Sequence, residues 1–155
     1  MSEPQPTAGE FVGREHRLPV RVYYEDTDFT GVVYHANYLR HLERGRSDFL
    51  RLAGVSHSDL LDRHDPAAFV VTRMELEFRR PARIDDALLI VTTYDTVRGP
   101  RLAIRQRVMR GDELLVQAVI DTACITLAGR ARKPPAGLHD ILRPYLLPPE
   151  PGLAP

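Results

Sequence analysis

A single cysteine, Cys124, occurs in this chain of 155 residues. That excludes an internal disulfide and points to a reducing compartment. No apolar run approaches the roughly 20 residues that a membrane span requires. The opening stretch, MSEPQPTAGEFVGREHR, is polar and lacks an apolar h-region, so it does not read as a secretory signal. A cytoplasmic location is expected. Net charge is also missing: Lys and Arg number 21, as do Asp and Glu. No global field therefore draws the chain toward nucleic acid or a membrane surface. No G-x-S-x-G is present, which disfavours a serine mechanism of the α/β-hydrolase type. Lysine is nearly absent, with Lys133 standing against 20 Arg. The planar Arg fork suits phosphates and carboxylates, although genomic base composition produces the same bias.

What is present is ordinary in amount. Hydrophobic residues make up 43% and charged residues 27%, enough for one globular domain with a substantial core. Residues 1–17 read as a flexible N-terminal tail, ordered at most near His16. Residues 18–130 read as the folded domain. Residues 131–155 read as a Pro-rich extension, with a possible short helix at Leu138–Leu142 and disorder beyond Pro148.

The domain is organised around Val20–Gly54. From Leu18, the residues Val20, Val22 and Tyr24 alternate with Arg21, Tyr23 and Glu25, the period of a half-buried strand. Asp26-Thr27-Asp28 breaks it, and Gly31 supplies backbone freedom. Asn37 is a plausible N-cap. The helix that follows places Leu39, Leu42, Phe49, Leu50 and Ala53 near one face and stops at Gly54. Gly45 in mid-helix costs about 1 kcal/mol against alanine, so a close neighbour is expected there.

A loop with a helical piece near Ser58–Asp62 leads into four strand patterns: Phe69–Arg80, Ala87–Val97, Arg101–Arg110 and Glu113–Leu127. In the first, Val70, Thr72, Met74, Leu76 and Phe78 share a face. Short turns make consecutive strands antiparallel. The prediction is an α+β fold, a five-stranded antiparallel sheet wrapped around one long helix. Its exposed strand edges predict at least a homodimer.

This pattern resembles the hotdog fold. The hinge resembles the 4-hydroxybenzoyl-CoA thioesterase family, in particular its YbgC-type acyl-CoA thioesterases, associated with the Tol–Pal cell-envelope system. The residues that carry the likeness are Arg21-Val22-Tyr23-Tyr24-Glu25-Asp26-Thr27-Asp28 and Gly31-Val32-Val33-Tyr34-His35-Ala36-Asn37-Tyr38. Weaker likeness runs through Glu43-Arg44-Gly45-Arg46, Phe69-Val70-Val71, Pro81 to Asp86, and Arg98-Gly99. A small pair such as Ala-Gly often stands in the family where Phe29-Thr30 stands here. The resemblance implies that Asp28 is the catalytic carboxylate, as nucleophile or general base. It implies that backbone amides around Tyr34 and His35 polarise the thioester carbonyl, with His35 a further participant. Gly31, Arg98 and Arg101 are the candidate substrate-binding residues.

Elementary chemistry is consistent with that assignment. Thioester hydrolysis needs an attacking oxygen and stabilisation of an oxyanion. A carboxylate beside the free amides of a helix N-terminus supplies both. Asp26 reads as a turn residue. His35 and His41 are six apart, unlike the four-residue spacing of HExxH, so no metal is expected. No cofactor is expected either, CoA being part of the substrate. CoA phosphates call for arginines, and with no P-loop or GxGxxG the expected site is a surface groove between subunits of a homodimer or homotetramer. An acyl group on a carrier protein is an alternative substrate. A non-catalytic acyl-carrier or Tol–Pal-associated scaffold, and a hydratase of the same fold, are the competing functions.

Overall fold

The computed structural model describes residues 2–147. The expectation of disorder beyond Pro148 lies outside them. The elements in chain order are β1 (Glu10–Val12), β2 (Glu15–Arg21), α1 (Asn37–Ala53), α2 (His57–Leu61), β3 (Ala68–Phe78), β4 (Ala87–Arg98), β5 (Arg101–Arg110), β6 (Glu113–Ile125) and α3 (Leu138–Leu142). Tyr24–Asp26 and Arg143–Tyr145 are single 3₁₀ turns. Among the described residues no helix is long and apolar enough to cross a membrane.

The strands form one antiparallel sheet in the order β1-β2-β4-β5-β6-β3, with α1 packed across it. The sheet has six strands rather than the expected five. The additional strand is β1, in the stretch read as a tail. Its Phe11 stacks on Tyr145 and meets Phe49 edge-on, at centroid distances of 4.1 and 4.9 Å. The Gly9 amide donates to Asp48 on α1 at 2.8 Å. These long-range contacts order a segment that has little hydrophobicity of its own.

β5 follows its predicted alternation, with Leu102, Ile104, Gln106 and Val108 buried. β3 departs from its pattern. A register shift between Val71 and Arg73 interrupts the alternation, so Met74 and Leu76 pack on the core while Val70, Val71 and Phe78 stay exposed. Among the described residues β3 is an edge strand, paired only with β6.

α1 presents Tyr38, His41, Leu42, Gly45, Phe49 and Leu50 to the sheet. Leu39, expected on that face, is exposed. Tyr38 turns inward instead because its hydroxyl accepts from the Ala82 amide at 3.0 Å. Gly45 meets the close neighbours its position predicted. A Cβ there would lie 2.8 Å from Ile90 Cγ2 and 3.0 Å from both Gln106 Nε2 and Thr92 Oγ1. Gln106 is immobilised, donating to the Leu42 carbonyl and to Thr92 Oγ1, each at 2.8 Å. Glycine is thus what lets the helix reach the sheet.

Gly45→Ala therefore loses more to overpacking than the roughly 1 kcal/mol it gains in helix propensity. Urea denaturation is expected to show a net destabilisation of about 1–3 kcal/mol. An unchanged or raised midpoint would mean that the Gln106 network yields.

Candidate active site

The hinge between β2 and α1 is built on Asp26, which is buried with 8% of its surface exposed. Its Oδ2 accepts from the Tyr23 amide at 2.8 Å, and its Oδ1 accepts from Asn37 Nδ2 at 3.0 Å. Its main-chain oxygen accepts from the Tyr34 amide at 2.9 Å. His41 Nε2 stands 3.7 Å from Oδ1. These contacts explain two departures from the sequence reading. The strand ends at Arg21 because residues 23–26 curl onto the carboxylate, leaving Tyr24 83% exposed rather than inward. Asn37 is the first residue of α1, not its cap, and Ala36 occupies the cap position.

Asp28 lies in the next turn, half-buried. Its amide donates to the Val32 carbonyl at 3.0 Å, and its carbonyl accepts from Gly31 at 3.1 Å. Gly31 is at φ 81°, a left-handed conformation that glycine adopts without strain. Its role in this turn is conformational. The Asp28 carboxylate accepts from the Thr30 amide at 2.8 Å and from the Thr30 hydroxyl at 2.5 Å. The hydroxyl and then the amide hold its pKa below the ordinary value.

The loop returns through Val33, which bridges to Thr27, and enters α1. The two amides proposed for the carbonyl differ. That of Tyr34 is occupied by the Asp26 carbonyl. That of His35 makes no hydrogen bond among the described residues. The expected amide pair is therefore reduced to His35. The exposed His35 ring lies 4.6 Å from Tyr34 and edge-on to Phe78 at 6.4 Å. It lines a cavity of about 270 Å³ with Val33, Tyr38, Phe78, Arg79, Arg80 and Pro81. Arg79 and Arg80 escaped the sequence reading because nothing in a strand pattern shows which end of β3 meets the hinge.

Arg98 and Arg101 are not brought to the hinge within one chain. The hinge adjoins the Ala87 end of β4, where Arg21 pairs with Ala87. Arg98 and Arg101 pair with each other at the opposite end. β4 has 12 residues, so its ends lie about 35 Å apart at roughly 3.3 Å per residue. A second cavity, of about 250 Å³, opens on the Phe69–Val71 side of β3. Arg46 and Tyr94 are among its walls. There Arg46 donates to Gln106 at 3.0 Å, and burial pushes the Tyr94 hydroxyl pKa up.

Comparison with known proteins agrees with this architecture. The profile of the thioesterase-like superfamily matches residues 22–150. The chain is similar to the acyl-CoA thioesterase YbgC of Haemophilus influenzae, at 41% identity over 110 residues, which are 71% of this chain and 80% of that protein. It is 44% identical over 110 residues to the acyl-CoA thioester hydrolase YbgC of Escherichia coli O6:H1, covering 70% of this chain and 81% of that one. Among solved structures, a probable thioesterase from Bartonella henselae superposes with a TM-score of 0.76 at 42% identity. That match covers 78% of this chain and 99% of the other.

Two expectations follow from the buried groups. Asp26→Ala leaves the Tyr23 amide and the Asn37 side chain without an acceptor, a loss of about 1–3 kcal/mol on denaturation. A second concerns pH. Burial holds His16 and His41 below their ordinary pKa, against the opposing pull of Asp48 and Asp26. The unfolded chain then binds more protons near pH 6.5, so stability falls as pH drops through that value. The lowered carboxylates, Asp28 and Asp86 among them, act in a separate window at and below their ordinary range near pH 4. Urea midpoints at about pH 5 and about pH 7.5 should differ less for His41→Leu than for the parent. An equal difference would remove His41 from the account.

Proposed function

Since the chain belongs to the thioesterase-like superfamily and is a thioester hydrolase of the YbgC kind, we propose that it hydrolyses acyl-CoA to a free acid and CoA at the hinge, with Asp28 as the reacting carboxylate. The observation that carries this reading is the shared anchoring of Asp28 and the unoccupied His35 amide. They sit on the two arms of one loop, and both arms are tied to Asp26: the Tyr23 amide and the Asn37 side chain donate to its buried carboxylate, and the Tyr34 amide donates to its main-chain oxygen.

Asp28 is ionised at neutral pH, since Thr30 holds its pKa down. It attacks the thioester carbon directly or removes a proton from a water that does so. The carbonyl oxygen, as it gains negative charge, is met by the His35 amide at the head of α1, where the helix dipole is positive. The tetrahedral intermediate collapses by expelling the CoA thiolate, a good leaving group that needs no strong acid; after attack by water this yields the free acid, and after direct attack it leaves a mixed anhydride on Asp28 that water then hydrolyses. The His35 ring is placed to steer water or protonate the departing sulfur. CoA enters as part of the substrate and leaves as product, and this route calls for no cofactor.

One protomer leaves this site open, because Asp28 is not among the walls of the His35 cavity. The exposed β3 edge supports a homodimer that completes it. Antiparallel pairing of β3 with its copy about a two-fold axis sets the Phe78 end of one protomer beside the Ala68 end of the other. Phe69 pairs with Cys124, and Arg101 with the neighbouring Ala123. The partner's Arg98 and Arg101 thereby approach the hinge, where with Arg79 and Arg80 they receive the phosphates of CoA.

Thiol release from a panel of acyl-CoAs tests the reading. Asp28→Asn is expected to lose about 10²–10⁴-fold in kcat while remaining folded. Undiminished hydrolysis would end the assignment of Asp28. Label transferred from isotopic water into the Asp28 carboxylate in a single turnover separates direct attack from base catalysis. A charge on the β3 edge, Val71→Lys, is expected to yield monomers by light scattering and to lower activity with them. An active monomer would overturn the shared site.

A further inference from the structure

Thr30 stands out among the loop residues because both of its polar donors converge on one atom. Its amide and its hydroxyl each donate to Asp28 Oδ1, at 2.8 and 2.5 Å. Among the described residues nothing bonds Asp28 Oδ2. The geometry depends on the turn. The Gly31 amide closes onto the Asp28 carbonyl at 3.1 Å, and Gly31 leaves the turn at φ 81°, so residue 30 is folded back over the aspartate. A residue without a hydroxyl at this position would offer the amide alone.

We propose that Thr30 is a positioning residue for thioester hydrolysis, tying down Oδ1 of Asp28 so that Oδ2 is the oxygen presented to the thioester or to water. The proposal rests on the assignment of Asp28 made above. The Asp28 carboxylate is half exposed, and a terminal sp³–sp² torsion in such a side chain is broad and roughly two-fold. Two donors on one oxygen remove that freedom and fix the lone pairs of the other. Such orientation is what a near-attack geometry requires. The same hydrogen bonds favour the charged form, and Thr30 is the first cause of the lowered Asp28 pKa. Thr30 thus sets the direction of the nucleophile or base and extends toward acid the pH range in which it is ionised.

The test compares Thr30→Val, which keeps the shape and the amide but removes the hydroxyl, with Thr30→Ser, which restores the hydroxyl. Thermal melts first establish that both are folded. Rates are followed by thiol release from butyryl-CoA and benzoyl-CoA across the acid range. Thr30→Val is expected to lower kcat by about tenfold with KM unchanged. Its acid limb of kcat/KM should move to higher pH, because loss of the donor raises the Asp28 pKa. Thr30→Ser should return both toward the parent. A Val variant with parental kcat and a superimposable acid limb overturns the proposal, as does a Ser variant that behaves like Val. Asp28→Asn is measured alongside. If it is inactive while Thr30→Val is parental, only the role of Thr30 falls. If it hydrolyses at the parental rate, the assignment of Asp28 falls and takes this proposal with it.

Discussion

A carboxylate taken out of water must be met by donors, and Asp26 is met from two directions. Tyr23 donates from the turn after β2 and Asn37 from the first turn of α1, while His41 in the second turn stands 3.7 Å from Oδ1. The Asp26 main chain holds Tyr34 as well. The path of residues 22–36 follows from satisfying this one side chain. The strand must stop early, the turn must tighten, and the chain must re-enter at the head of the helix. Asp28 and His35 are placed by these constraints, and among the described residues Asp28 Oδ2 and the His35 amide carry no hydrogen bond.

The same division holds along α1. Its far half is committed to the core, where Phe49 lies against Tyr94 and Phe11 and Gly45 lets the helix backbone approach the sheet. Its N-terminal end carries the free amide of His35 and borders the exposed ring of that residue. A helix anchored at depth and open at its tip holds its dipole in a fixed place beside the hinge. The β3 edge is the counterpart on the sheet. It has a register shift, three exposed apolar side chains and one unpaired side, and it runs from the hinge end of the domain to the end that carries Arg101.

Legibility in the sequence tracked locality. β5 was read correctly because a strand paired on both sides, with one face on the helix, must alternate. The Leu138–Leu142 helix and the stop at Gly54 were read from local signals. Gly45 announced a close neighbour, though not that Ile90, Gln106 and Thr92 would provide it. The readings that failed turned on burial and on partners outside the local pattern. Tyr24 fits a strand until Asp26 is buried, Leu39 fits the apolar face until Ala82 engages Tyr38, and Glu10–Val12 looks like a tail until Phe11 finds Tyr145. The motif located the hinge and named Asp28 and His35, but it could not show that the Tyr34 amide is already occupied.

Periodicity, turn chemistry and motif are properties of neighbouring residues, and they sufficed for the order of elements from β2 to α3, the antiparallel sheet around one helix, and the thioesterase likeness of residues 21–38. Only packing makes Asp26 buried and Asp28 half-buried, and engages the Tyr34 amide while that of His35 makes no hydrogen bond among the described residues. It also decided which arginines stand beside the hinge and which lie about 35 Å away at the other end of β4. Those outcomes depend on burial and on hydrogen bonds between residues far apart in the chain, and no local pattern encodes either.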